Sequence, residues 1–126
     1  MSSIAIKTAD APQAIGPYSQ AIKAGNMLFL SGQIALDPIS GMLENESIAH
    51  ETHRIMKNIK AVLQAAGFEL KQVVKTSIFM SSMDHFSAVN EVYAGYFDSH
   101  FPARETVAVA GLPRGANVEI SMIAVQ

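Results

Sequence analysis

Arg104, Glu119 and Tyr18 are the residues in this chain whose types and settings could do chemistry. Arg104 follows Phe101-Pro102-Ala103 and opens a run of small and apolar residues. A guanidinium there is either a solvated strand end or a planar fork for a carboxylate or phosphate. Glu119 interrupts the apolar run that closes the chain and shares one parity with Ser121. If the last two strands form a hairpin around Arg114, alternation puts Arg104, Thr106, Glu119 and Ser121 on one face. An Arg and a Glu so placed are a structural ion pair or a carboxylate clamp beside a general base, and periodicity leaves both open. Tyr18 sits in a Gly-Pro loop, as a half-buried anchor or as a hydroxyl offered to a ligand. Ser31-Gly32 ends a strand, as a bulge or as a close backbone approach to a ligand.

Other motifs carry less. His50-Glu51-Thr52-His53 is one residue short of a zincin helix, because position 54 is Arg. A stable metal site needs three or four converging ligands, so no metal is expected. No Gly-rich phosphate loop and no nucleophile elbow occurs. Cysteine is absent, which excludes disulfides, thiolate metal sites and a Cys nucleophile.

The 126 residues suit one domain, and 49% apolar against 16% charged residues argues for a packed core over disorder. Nine Lys+Arg against eleven Asp+Glu give a net charge of −2, with no basic surplus for phosphates. No stretch reaches the roughly 18 apolar residues of a membrane span, and the N-terminus lacks the pattern of a secretory signal. The expected setting is cytoplasmic.

The elements that must position these residues are readable in outline. Strands are expected at 4–7, 20–23 and 27–31, the last two joined by Ala24-Gly25-Asn26, with Gly32 to Leu36 as an extension. Residues 47–66 carry apolar positions at Ile48, Ile55, Met56, Ile59, Val62 and Leu63, which is helical spacing. Ser47 suits the start of that helix and Gly67 its end. Glu51, Arg54, Lys57 and Lys60 are expected on its solvent face. Residues 73–80 are apolar on both parities, as in a buried strand. Residues 84–99 read as a second helix capped by Asp84. Residues 105–110 and 117–125 are expected to close the chain as a hairpin. The class is α+β, with two helices on one sheet face. In the last strand both parities are largely apolar, so the uncovered face calls for another subunit.

At this point the chain resembles the Rid family (RidA/YjgF, reactive intermediate deaminases). The matching stretches are Ala14-Ile15-Gly16-Pro17-Tyr18-Ser19-Gln20, Ser31-Gly32-Gln33-Ile34 and Asn58-Ile59-Lys60-Ala61-Val62-Leu63. They continue through Ala65-Ala66-Gly67, Val74-Lys75-Thr76, Phe101-Pro102-Ala103-Arg104, Leu112-Pro113 and Val118-Glu119-Ile120. The resemblance implies one chorismate-mutase-like domain over residues 1–126, assembled as a homotrimer with three clefts between subunits. It implies a cofactor-independent, metal-free 2-iminobutanoate/2-iminopropanoate deaminase. Such enzymes hydrolyse imines of 2-aminoacrylate and 2-aminocrotonate, released by pyridoxal-phosphate dehydratases, to 2-oxo acids and ammonia. Arg104 matches the carboxylate-binding arginine, Glu119 the acid that activates water, and Tyr18 a cleft hydroxyl. Ser31, Gly32, Asn90 and Thr106 match substrate-binding positions. Thr106 stands where relatives often have Cys, and Ser121 where some have a second acid. The competing reading is a non-catalytic carboxylate-binding trimer that regulates a partner enzyme or transcription factor. The net charge argues against a third reading, RNA cleavage.

Overall fold

Most elements form where local patterning asks for them. In the computed structural model, which describes residues 2–126, the order is β1 (Ser3–Ile6), β2 (Ala21–Ala24), β3 (Met27–Leu30), α1 (Ile48–Ala65), β4 (Val73–Met80), α2 (Phe86–Ala94), β5 (Ala103–Ala108) and β6 (Val118–Val125). They build one six-stranded sheet in the order β1-β2-β3-β6-β4-β5, with both helices on one face. Among the described residues no helix is long and apolar enough to cross a membrane.

α1 has both of its expected ends. The Ser47 side chain accepts from the N–H of His50, satisfying one of the free donors of the first turn. At the other end Gly67 turns with φ +80, Phe68 N–H reaches the Leu63 carbonyl, and Gly67 N–H reaches that of Gln64. This is a Schellman stop, closed by contact between the buried Leu63 and Phe68. Ile55, Met56, Ile59, Val62 and Leu63 are buried against the sheet. Glu51 departs from expectation: it lies not on the solvent face but fully buried. Its position in the first turn faces the start of β6, whose amides occupy its carboxylate.

The second helix is shorter than its apolar pattern. Asp84 does not cap it; residues 83–85 form a 3-10 turn in which Ser82 caps the Asp84 N–H, and α2 starts at Phe86. Tyr93 on α2 is buried, and its hydroxyl donates to Thr76 Oγ1 at 2.9 Å. Burial pushes the Tyr93 phenol above its ordinary pKa. Tyr93→Phe is expected to cost about 1–3 kcal/mol in urea unfolding, because the buried Thr76 hydroxyl loses its partner. The double variant with Thr76→Val is expected to recover much of that loss.

The closing hairpin does not form. β5 pairs in parallel with β4, while β6 runs antiparallel to both β4 and β3 and lies between them. The reason is the crossover: α2 leaves β4, packs on the sheet and returns the chain beside β4 in the same direction. The register then separates residues that a hairpin would have put together. Thr76 faces Arg104 on one side and Met122 on the other, so Arg104 belongs to the helix-covered face. Phe79 faces Val107 and Glu119, so Glu119 belongs to the opposite face. Thr106 goes with Arg104, and Ser121 with Glu119.

β6 alternates buried and half-buried along its whole length, with Val118, Ile120, Met122 and Ala124 in the core. The face away from the helices carries Ile22, Phe29, Phe79, Val107, Ile123 and Val125. Phe29 and Val107 are exposed at 40% and 42%.

Candidate functional site

Gly32 stands where the β3–β6 ladder breaks. Phe29 pairs with Ile123, and the next bridge joins Gln33 to Ile120, so the register slips by one residue across Ser31-Gly32. The bulge tips the backbone toward β6. A Cβ on Gly32 would run into the Glu119 carboxylate, so only glycine leaves that carboxylate its place. The bulge expected at Gly32 is present, and the close approach it makes is to the Glu119 side chain.

Around this contact lies a cavity of about 580 Å³. Tyr18, Ser31, Gly32 and Glu119 all line it, with Ile15, Ile34, Leu36 and Arg114 at its edges. The loop that brings Tyr18 here is held from within by Gln20, which is 3% exposed. Its side-chain oxygen accepts from Thr8 N–H at 2.8 Å, and its amide donates to the Thr8 and Pro12 carbonyls at 3.0 and 2.7 Å. The Ser31 hydroxyl donates to the Ser19 carbonyl at 2.5 Å, so its role here is to hold the Tyr18 loop. Tyr18 itself is half exposed.

Glu119 makes no ion pair among the described residues, and burial raises its carboxyl above the ordinary carboxylate pKa. A carboxyl so raised moves toward the range in which it can both take and return a proton. Arg114 shares the cavity although the sequence placed it only in a turn. It sits at φ +59 in a 3-10 turn, and its guanidinium donates to the Gly41 carbonyl at 3.3 Å. Its left-handed backbone is not readable from a Pro-Arg-Gly string.

Arg104 is elsewhere. It lines a second cavity of about 340 Å³ with Asn90, Tyr93, Phe101 and Pro102. Its Nη1 donates to Asn90 Oδ1 at 2.9 Å, and its guanidinium lies 5.3 Å from the Tyr93 ring centre and 5.8 Å from that of Phe86. One neutral amide and two aromatic faces thus orient a cation that has no acid partner among the described residues. Thr106 lines neither cavity; its hydroxyl is buried and unpartnered. His50 pairs with Glu44 and Glu46, and His53 with the Tyr96 hydroxyl.

Apart from Thr106, the candidate residues therefore fall into two groups on opposite faces of one sheet. The first holds an acid, a tyrosine and a close backbone approach. The second holds an oriented guanidinium. A family model described as endoribonuclease L-PSP matches residues 8–126. A Yersinia pestis structure of the conserved Rid protein family is 47% identical with a TM-score of 0.97, covering 99% of this chain and 100% of that one. The chain belongs to the Rid (YjgF/RidA) family. Among similar Rid proteins, the human 2-iminobutanoate/2-iminopropanoate deaminase is 46% identical over 121 residues, covering 96% of this chain and 88% of that protein. E. coli TdcF, solved with bound serine, is 36% identical with a TM-score of 0.94 over 98% of both chains. The Rid fold shared with these proteins is the one described above, two helices on a six-stranded mixed sheet.

Proposed function

We propose that the protein is a 2-iminobutanoate/2-iminopropanoate deaminase, working as a homotrimer whose sites lie between subunits. The observation that carries the reading is Arg104, an oriented guanidinium with no acid partner among the described residues. Its planar fork matches the carboxylate of a 2-imino acid, with Asn90 orienting it through Nη1. Curated relatives near 46% identity bear the deaminase name. In this reading the apolar outer face of the sheet is the subunit contact, and the contact joins the Glu119 half-site of one protomer to the Arg104 half-site of the next. Light scattering is the direct check on the assembly: a particle of three times 13.5 kDa supports it, and a monomer contradicts it.

The chemistry asked of such a cleft is modest. A protonated imine carbon is already electrophilic, so the enzyme has to place water and take up charge. Glu119 as carboxylate accepts a proton from the attacking water while oxygen bonds to the imine carbon. The resulting carbinolamine keeps the nitrogen. Glu119 then returns the proton to that nitrogen, and the C–N bond breaks with departure of ammonia. The hydroxyl proton passes back to the Glu119 carboxylate and on to ammonia as the carbonyl of the 2-oxo acid forms. Tyr18 offers its hydroxyl to the water or the nitrogen. Ser31 and Gly32 shape the wall. Thr106 supports the Arg104 strand and needs no thiol for this reaction.

The test is release of ammonia or 2-oxo acid, with a threonine or serine dehydratase supplying the imine. Acceleration by the protein supports the deaminase. No acceleration, with 2-oxobutanoate still binding, transfers the weight to a carboxylate-binding trimer. Gly32→Ala is a sharper probe of the same site. The colliding atoms are the far end of a side chain, so the fold is expected to survive while Glu119 swings away. The expected result is an intact melting transition with kcat reduced about 100-fold, the scale of a misplaced catalytic group.

A further inference from the structure

Glu51 is fully buried, and among the described residues it has no cationic partner. What it holds is the start of β6. Its Oε2 accepts from the backbone N–H of Asn117 at 2.8 Å and of Val118 at 3.1 Å, and its Oε1 accepts from the Asn117 side-chain amide at 3.0 Å. These are the two residues immediately before Glu119. On the far side of Glu119, the backbone of Ile120 exchanges hydrogen bonds with Gln33 at 2.8 and 3.1 Å. The backbone carrying the acid is thus gripped on both sides.

The grip is needed because β6 is entered from an irregular turn. Arg114 and Gly115 both have positive φ in a short 3-10 turn. On the side of β4 Asn117 is met by Ser81, whose N–H donates to its carbonyl at 2.9 Å and whose hydroxyl donates to its Oδ1 at 3.3 Å, so Glu51 is what holds its amides. A buried carboxylate is a costly group to place without a countercharge. It has one advantage over an amide or hydroxyl: it accepts several donors at once and has none of its own to satisfy. We propose that Glu51 is a positioning residue for Glu119, acting through the Asn117 and Val118 amides across the helix–sheet interface. The proposal rests on Glu119 being the acid of the reaction proposed above. Glu51 lines neither the Glu119 cavity nor the Arg104 cavity; its effect is on where the Glu119 carboxylate sits against Gly32.

The experiment compares Glu51→Leu, Glu51→Gln and Asn117→Ala with wild type in the imine-coupled assay. Glu51→Leu is expected to lower kcat about 100-fold at nearly unchanged KM, because orientation and not binding is lost. Glu51→Gln, which keeps an acceptor for the two backbone amides while Asn117 turns its own amide over, is expected to retain most of kcat. Asn117→Ala removes one leg of the grip and is expected to lower kcat in the same direction by less; it decides the matter should Glu51→Leu not fold. A variant that melts lower yet keeps wild-type kcat overturns the proposal and leaves Glu51 a structural residue. If wild type itself releases no ammonia, the deaminase reading has failed, and the carboxyl carbon resonance of Glu119 becomes the readout. A resonance moved by Asn117→Ala or Glu51→Leu and restored by Glu51→Gln supports positioning, and one unmoved in every variant overturns it.

Discussion

Replacing Arg104 by alanine is expected to leave a folded oligomer that no longer accelerates imine hydrolysis. The side chain is exposed on the rim of β5, and its partners are one amide oxygen and two aromatic faces, so little of the core depends on it. What disappears is the fork for the substrate carboxylate. Charged hydrogen bonds are each worth about 1.5–3 kcal/mol, and losing a bidentate pair corresponds to a drop of roughly 100-fold or more in kcat/KM. Arg104→Lys is expected to recover only part of this, since an ammonium keeps the charge but not the planar pair of donors. Steady-state kinetics with light scattering on the same samples check both halves of the claim. Wild-type kcat/KM in Arg104→Ala removes Arg104 from the site.

Replacing Glu119 by glutamine is expected to cost more in rate and to gain in stability. Removing a general acid–base group costs about 100- to 10,000-fold in kcat. The stability effect follows from burial, which raises the Glu119 carboxyl above the ordinary carboxylate pKa. A carboxyl with a raised folded-state pKa is protonated more readily in the folded chain than in the unfolded one. Its contribution is therefore fully present below the unfolded pKa, and it is lost as pH rises through the folded pKa. At neutral pH the ionised group opposes folding, and glutamine removes that cost. Glu119→Gln is expected to melt above wild type at pH 7, with the difference closing as the pH is taken below about 4. Thermal melts at several pH values check this. A variant that melts below wild type at neutral pH shows that the carboxylate is stabilised by a contact outside this chain's own residues.

The two residues also show where sequence reasoning stops. The ends of α1 are set by local rules, a serine that caps and a glycine that turns left-handed, and both are where the sequence puts them. Tyr18, Ser31, Gly32 and Glu119, which lie far apart in the sequence, line one cavity. The placement of β5 follows no local rule. Whether Arg104 pairs beside β6 or beside β4 depends on α2 carrying the chain across the sheet, and no turn motif records that. Glu51 fails for a related reason. Its spacing matches the charged stripe of α1, and only the tertiary arrival of Asn117 and Val118 makes its burial tolerable. Arg114 is visible as a cation in a turn but not as a residue lining the same cavity as Glu119.

Arg104 and Glu119 on opposite faces of one sheet cannot serve one substrate within a single protomer, so the account requires sites completed by a neighbour. Subunit mixing tests this most directly. Arg104→Ala and Glu119→Gln chains, each inactive alone, would be denatured, mixed in equal amounts and refolded together. Random assortment in a closed ring of three leaves one intact site in every mixed trimer, so about a quarter of wild-type activity is expected to return. Mixed trimers confirmed by native mass spectrometry that remain inactive would contradict a site shared between subunits.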